Sequence, residues 1–154
     1  MYKIFLGEGL DKIKFGMSRD DVKKILGEPD EIDEFDYEDS DDKSVAWHYD
    51  ELELSVGFDQ EAEWQLVSIA VSNPETELAG KKLIGLVFDE AVKEIEKLNL
   101  GDLEVEDVEN DEDENSTEGE KNNYKELYSD DSNISFWFDE NILTEIQWGP
   151  MWEE

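Results

Sequence analysis

At 154 residues the chain is long enough for one ordinary domain or two small fused units, and 38% apolar content with 11% aromatics supplies a core, which excludes disorder throughout. Its 45 Asp and Glu against 13 Lys and Arg leave a formal net charge of -32, far beyond what solubility requires. Such a field repels phosphate backbones and anionic lipid headgroups, so nucleic-acid and membrane-surface binding are disfavoured and a basic protein or a cation is the natural partner, a basic protein being the one expected.

There is no Cys, which removes disulfides, thiolate metal sites, lipid-modified cysteine and a cysteine nucleophile. The apolar stretch near Met1 is too short for a signal peptide and is interrupted early by Glu8 and Asp11, and no run approaches a membrane span. The cytoplasm is the expected compartment.

From Phe15 to Pro29 the signals for a short helix are unusually complete. Ser18 caps the first turn with Asp21 answering three residues later, Asp20 and Asp21 suit the positive end, and Lys23 and Lys24 suit the negative end. Gly27 supplies a left-handed exit and Pro29 forbids continuation, after Val22, Ile25 and Leu26 have formed one apolar face.

Alternation then predicts four strands, around Phe35 and Tyr37, around Val45, Trp47 and Tyr49, from Leu52 to Phe58, and around Val67, Ile69 and Val71. Acidic or turn-prone clusters separate them, and connections this short imply antiparallel neighbours. Residues 73–80, with Pro74 and no alternation, read as a linker. A second helix follows at Phe88 to Leu98, with Asp89 as its N-cap and Val92, Ile95 and Leu98 on one stripe.

The second half resembles the first in order. Leu54–Asp59 lies over Ile134–Asp139, and Ile69–Val71 over Ile146–Trp148, which points to an internal duplication. The expected fold is α+β: two tandem helix-plus-antiparallel-strand repeats, residues 1–75 and 81–154, with the helices packed on one face of an antiparallel sheet and the whole forming one compact unit. An acidic insertion at about 106–123 reads as a solvated loop.

Charge is unevenly placed. Lys12, Lys14, Arg19, Lys23 and Lys24 surround the first helix, and Lys81, Lys82, Lys93 and Lys97 the second, whereas Ser44 to Gly80 and Glu126 to Glu154 hold no Lys or Arg. If the helices cover one sheet face, the other is expected to present carboxylates and aromatics to a basic partner. The candidate contacts are Trp64, Trp152, Glu51, Glu53, Asp59, Glu61, Glu63, Asp130, Asp131, Asp139 and Glu140, while Trp47 and Trp137 read as core.

Nothing in the sequence carries a catalytic signature. With 45 carboxylates some pair falls at any separation by chance, His48 is a lone histidine, phosphate-cradling glycine loops are absent, and the acidic runs near Asp36 and Asp111 lack the Gly and Glu spacing of a calcium loop. No enzyme activity, metal or cofactor is expected.

The string Gly16-Met17-Ser18-Arg19-Asp20-Asp21-Val22, followed by Ile25-Leu26-Gly27-Glu28-Pro29, resembles the opening of the SmpA/OmlA and beta-lactamase-inhibitor-protein-like superfamily. That resemblance implies a short helical element before antiparallel strands, duplicated in the inhibitor branch, and a concave sheet used for protein binding. The expected function is a non-catalytic cytoplasmic inhibitor, most specifically an immunity-type protein masking a basic toxin or nuclease surface. The alternative is a structural or assembly domain that self-associates or docks on a scaffold through its aromatic sheet face.

Overall fold

Apolar alternation organises most of the molecule. The computed structural model describes residues 3–36, 43–108 and 124–150. In chain order its elements are β1 (Lys3–Phe5), β2 (Gly9–Leu10), β3 (Ile13–Lys14), α1 (Arg19–Leu26), β4 (Glu31–Asp36), β5 (Lys43–Tyr49), β6 (Leu54–Asp59) and β7 (Gln65–Val71). They continue as β8 (Glu77–Leu78), β9 (Lys81–Lys82), α2 (Phe88–Glu96), β10 (Glu104–Val108), β11 (Tyr124–Ser129), β12 (Ile134–Asp139) and β13 (Ile142–Trp148).

The expected α+β arrangement of two helix-plus-strand repeats, with helices covering one face of a single sheet, is overturned. Of the described residues 48% are strand and 16% helical, and the strands form two sheets. The physical reason is size. The helices run eight and nine residues, and the first fully buries Val22 while the second buries Ala91 and Ile95, too little apolar surface to cover a wide sheet. Ile4, Leu10, Ile13 and Leu78, from a second, five-stranded sheet, complete the core.

That small sheet has the order β3-β2-β1-β8-β9, with β1 and β8 parallel. Residues 77 and 78 are therefore a paired strand inside the stretch expected to be a linker. Strands of two residues carry no alternation, so only the pairing itself reveals them.

The large sheet has the order β10-β11-β12-β13-β7-β6-β5-β4, with every neighbouring pair antiparallel. It comprises two four-stranded meanders joined where Val71, Ala70 and Ile69 meet Ile146, Gln147 and Trp148. Both meanders shift register at the same place, between Gly57 and Phe58 and between Trp137 and Phe138. A matching pair of straps ties each helix entrance to its last strand. Gly16 N–H donates to the Leu66 carbonyl (3.0 Å) and Leu66 N–H to Met17 (2.8 Å), as Gly85 N–H donates to Leu143 (2.8 Å) and Leu143 N–H to Leu86 (2.9 Å).

Helix α1 follows its local signals closely. Ser18 accepts from Asp21 N–H at 3.2 Å, and Gly27 leaves the helix at φ 87°. The chain after it is anchored by the Tyr49 hydroxyl, which donates to the Gly27 carbonyl at 2.9 Å; burial, with Glu28 and Asp30 nearby, pushes that phenol up to about 12. In α2 the cap is Val87 with no side-chain bond, so Asp89 sits in the first turn instead of capping it.

One continuous core draws on both halves of the chain, including Phe58, Ile69, Phe136, Phe138, Ile146 and Trp148. The acidic stretch expected at 106–123 begins as the end of β10, and its remainder, like Trp152 and Tyr37, lies outside the described residues.

Candidate functional site: the open face of the large sheet

Strand alternation sends Val45, Trp47 and Tyr49, then Leu54, Val56 and Phe58, then Ile134, Phe136 and Phe138 to the core side, where the helices and the small sheet meet them. No described element covers the opposite face. At its centre are small residues, Ala46, Ser55, Gly57, Ser68 and Ala70, each only partly exposed. Phe35 and Asp33 on β4 stand to one side of this floor, and Glu145 and Trp137 on β13 and β12 stand to the other. The result is a trough running over β6 and β7. Gly57 fits the floor because a Cβ there would press on the Ser68 hydroxyl.

On the β4 side His48 ties three strands together. Its Nδ1 lies 2.7 Å from Ser55 Oγ and its Nε2 lies 2.8 Å from Asp33 Oδ2. A Ser, His and Asp linked in this order invite comparison with a nucleophile and its base. Ser55 lies on β6, opposite His48 of β5 on one side and Ala70 of β7 on the other. The arrangement orients the imidazole at the trough edge.

On the other side Trp137 pairs directly with Glu126 of β11 and Glu145 of β13. Burial pushes the Glu145 carboxyl up, while His48, close enough to interact across the trough, pulls it down. The carboxylate has no hydrogen bond or ion pair among the described residues. Trp137 Nε1 is buried and likewise lacks an acceptor. Farther out, the Tyr128 hydroxyl donates to Glu106 at 3.1 Å, and hydrogen bonding to Glu104, then burial, then Glu106 push it well above its usual range.

The raised Glu145 carboxyl sets a pH signature. The folded chain holds this proton more tightly than the unfolded one, so the stabilisation is fully present below the ordinary carboxylate range and is lost as pH rises through the folded value. Glu145→Gln should raise the melting temperature at neutral pH and change it little at pH values below the ordinary carboxylate range. Thermal melts across that window check it; an equal gain from the exposed Glu140→Gln would show a general relief of net charge instead.

Among the described residues eight carboxylates lie at open-face positions: Glu31 and Asp33 on β4, Asp59 on β6, Glu104 and Glu106 on β10, Glu126 on β11, Asp139 on β12 and Glu145 on β13. None of the described Lys and Arg side chains is placed there. They belong to the helices, the small sheet and the core-side positions of the strands; Lys125, for example, reaches over the Phe88 ring of α2 at 4.7 Å. Around α2 several are paired, Lys81 and Lys97 with Glu94, and Lys82 with Glu75.

The contacts expected from the sequence are placed differently from one another. Asp59 and Asp139 lie on the open face, where they accept from Ser44 and from Tyr124. Glu51 and Glu53 occupy the β5–β6 turn and Glu140 the β12–β13 turn, whereas Glu61, Glu63, Asp130 and Asp131 lie in turns toward the opposite end of the sheet. Glu53, Glu63 and Glu140 adopt φ between 50° and 57°, the left-handed conformation their tight turns require. Asp131 is committed to the Asp102 backbone N–H, and Trp64 carries the Arg19 guanidinium 4.7 Å from its ring. These residues form no single patch. Trp47 is core as expected, whereas Trp137 faces the trough; its place between Phe136 and Phe138, both fully buried, was the available signal.

No family model, curated protein or solved structure matches the chain. Among the described residues, no helix is long and apolar enough to cross a membrane, and no group of three or more His, Asp or Glu is placed to hold a metal ion.

Proposed function

We propose that the protein is a non-catalytic binder that takes a basic protein onto the open face of its large sheet, in the manner of an inhibitor or immunity-type protein masking a basic toxin or nuclease surface. One observation carries the reading: the described open face holds eight carboxylates and no Lys or Arg, although the same chain has 13 basic residues. Solubility alone would be served by acids on any surface. Confinement of the described bases to the other side produces a face that steers a cationic partner and orients it on arrival.

Partly exposed Trp137, Tyr124 and Tyr128 supply area for aromatic contacts within the same field. Resemblance of residues 16–29 to the SmpA/OmlA and beta-lactamase-inhibitor-protein-like opening is consistent with a sheet used for protein binding. Self-association through this face is disfavoured, because it would set one row of carboxylates against another.

Titration calorimetry with cytochrome c, a folded basic protein, tests the electrostatic core of the proposal. Association is expected at about 0.05 M salt and should weaken tenfold or more by about 0.5 M. No association at low salt, or affinity indifferent to salt, would contradict it.

A further inference from the structure

The trough is chemically lopsided. Where the first meander has Ala46, Gly57 and Ser68 across three neighbouring strands, the second has Glu126, Trp137 and Glu145 at the corresponding register positions. Directly opposed side chains on one sheet face have Cβ atoms roughly 4.5–5.5 Å apart, so the indole is flanked on both sides by a carboxylate. Neither carboxylate has a hydrogen bond or ion pair among the described residues, and the indole N–H has no acceptor. An unmatched indole N–H is not peculiar to this row, since Trp148 Nε1 and Thr76 Oγ1 are also without partners; what the row offers a cation is two unpaired carboxylates beside a partly exposed aromatic ring.

We infer that an arginine side chain of the partner anchors in this row, its guanidinium lying on the Trp137 ring and bridging the carboxylates of Glu126 and Glu145. The inference rests on the open face being the docking surface. Arginine fits better than lysine for three reasons. Its cation is planar and stacks on an indole, it sheds water more readily than an ammonium, and its fork of N–H donors can reach two carboxylates at once. The small floor over β6 and β7 leaves room for the chain carrying that arginine, and His48, with Asp33 behind it, bounds the floor opposite Glu145.

Calorimetric titration with nona-arginine and nona-lysine peptides separates this anchor from general attraction. The wild-type protein should bind nona-arginine about fivefold more tightly than nona-lysine. Trp137→Val, which keeps a strand-forming residue, should bring the ratio close to one while nona-lysine binding persists. Glu126→Gln and Glu145→Gln should each weaken nona-arginine about threefold more than Glu140→Gln does, which keeps the test available should the Trp137 variant fail to fold. Equal affinities for the two peptides, with these substitutions no different from Glu140→Gln, would overturn the anchor and leave the acidic docking face standing. Failure of both peptides to bind would overturn the anchor together with the docking reading beneath it.

Discussion

Glu126→Lys combined with Glu145→Lys should weaken association with cytochrome c by about a hundredfold or more at low salt. Each substitution removes one negative charge and adds one positive charge, so the pair takes the net charge from -32 to -28, a change of 4. Glu90→Lys with Glu96→Lys, at exposed positions on α2, makes the same change on the other side of the molecule. That matched pair should cost less than about fivefold, because the charges lie across the fold and the intervening solvent screens them. A basic partner drawn only by total charge would respond equally to both pairs. The ratio of the two losses therefore measures how far the open face, and not the overall field, governs binding.

Phe136→Ala should lower stability by about 3–5 kcal/mol, whereas Trp137→Val, one position along the same strand, should cost less than about 1 kcal/mol. Phe136 is fully buried in the shared core, so truncation leaves a cavity that the large sheet and its covering elements cannot readily collapse into. Trp137 loses contact area when shortened, but its unmatched indole N–H is removed at the same time, which offsets part of that loss. Denaturant unfolding curves decide between them. Comparable losses would place Trp137 in the core and remove the aromatic centre of the open face.

Much of the large sheet was readable because its strands alternate cleanly. Val45, Trp47 and Tyr49, or Ile134, Phe136 and Phe138, announce both a strand and its buried side without knowledge of any neighbour. The cap of α1 was equally local, since Ser18 and Asp21 lie within one turn. Pairing between short strands distant in sequence was not readable. The small sheet joins Lys3–Ile4 to Glu77–Leu78, and strands of that length make no pattern of their own.

The site was obscured by a related difficulty. Acidic residues in turns are conspicuous along the chain, so Glu51, Glu61, Asp130 and Glu140 attract attention, yet the turns distribute them toward opposite ends of the sheet. The trough instead collects alternate residues from Asp33, His48, Ser55 and Ala70 through to Trp137 and Glu145, and only strand order and register bring these together. Charge segregation was visible in outline as bases near the helices. Its full extent depends on Lys43 and Lys125 occupying core-side strand positions, which requires the side-chain period and not the sequence spacing alone.

Amide chemical shifts recorded while nona-arginine is added test the docking face most directly. The largest shifts should fall on His48, Ser55, Gly57, Ala70, Trp137 and Glu145, leave α1, α2 and the small sheet nearly unchanged, and disappear at about 0.5 M salt. Shifts centred on the acidic turns, or spread evenly over both sides of the molecule, would contradict an open sheet face as the binding surface.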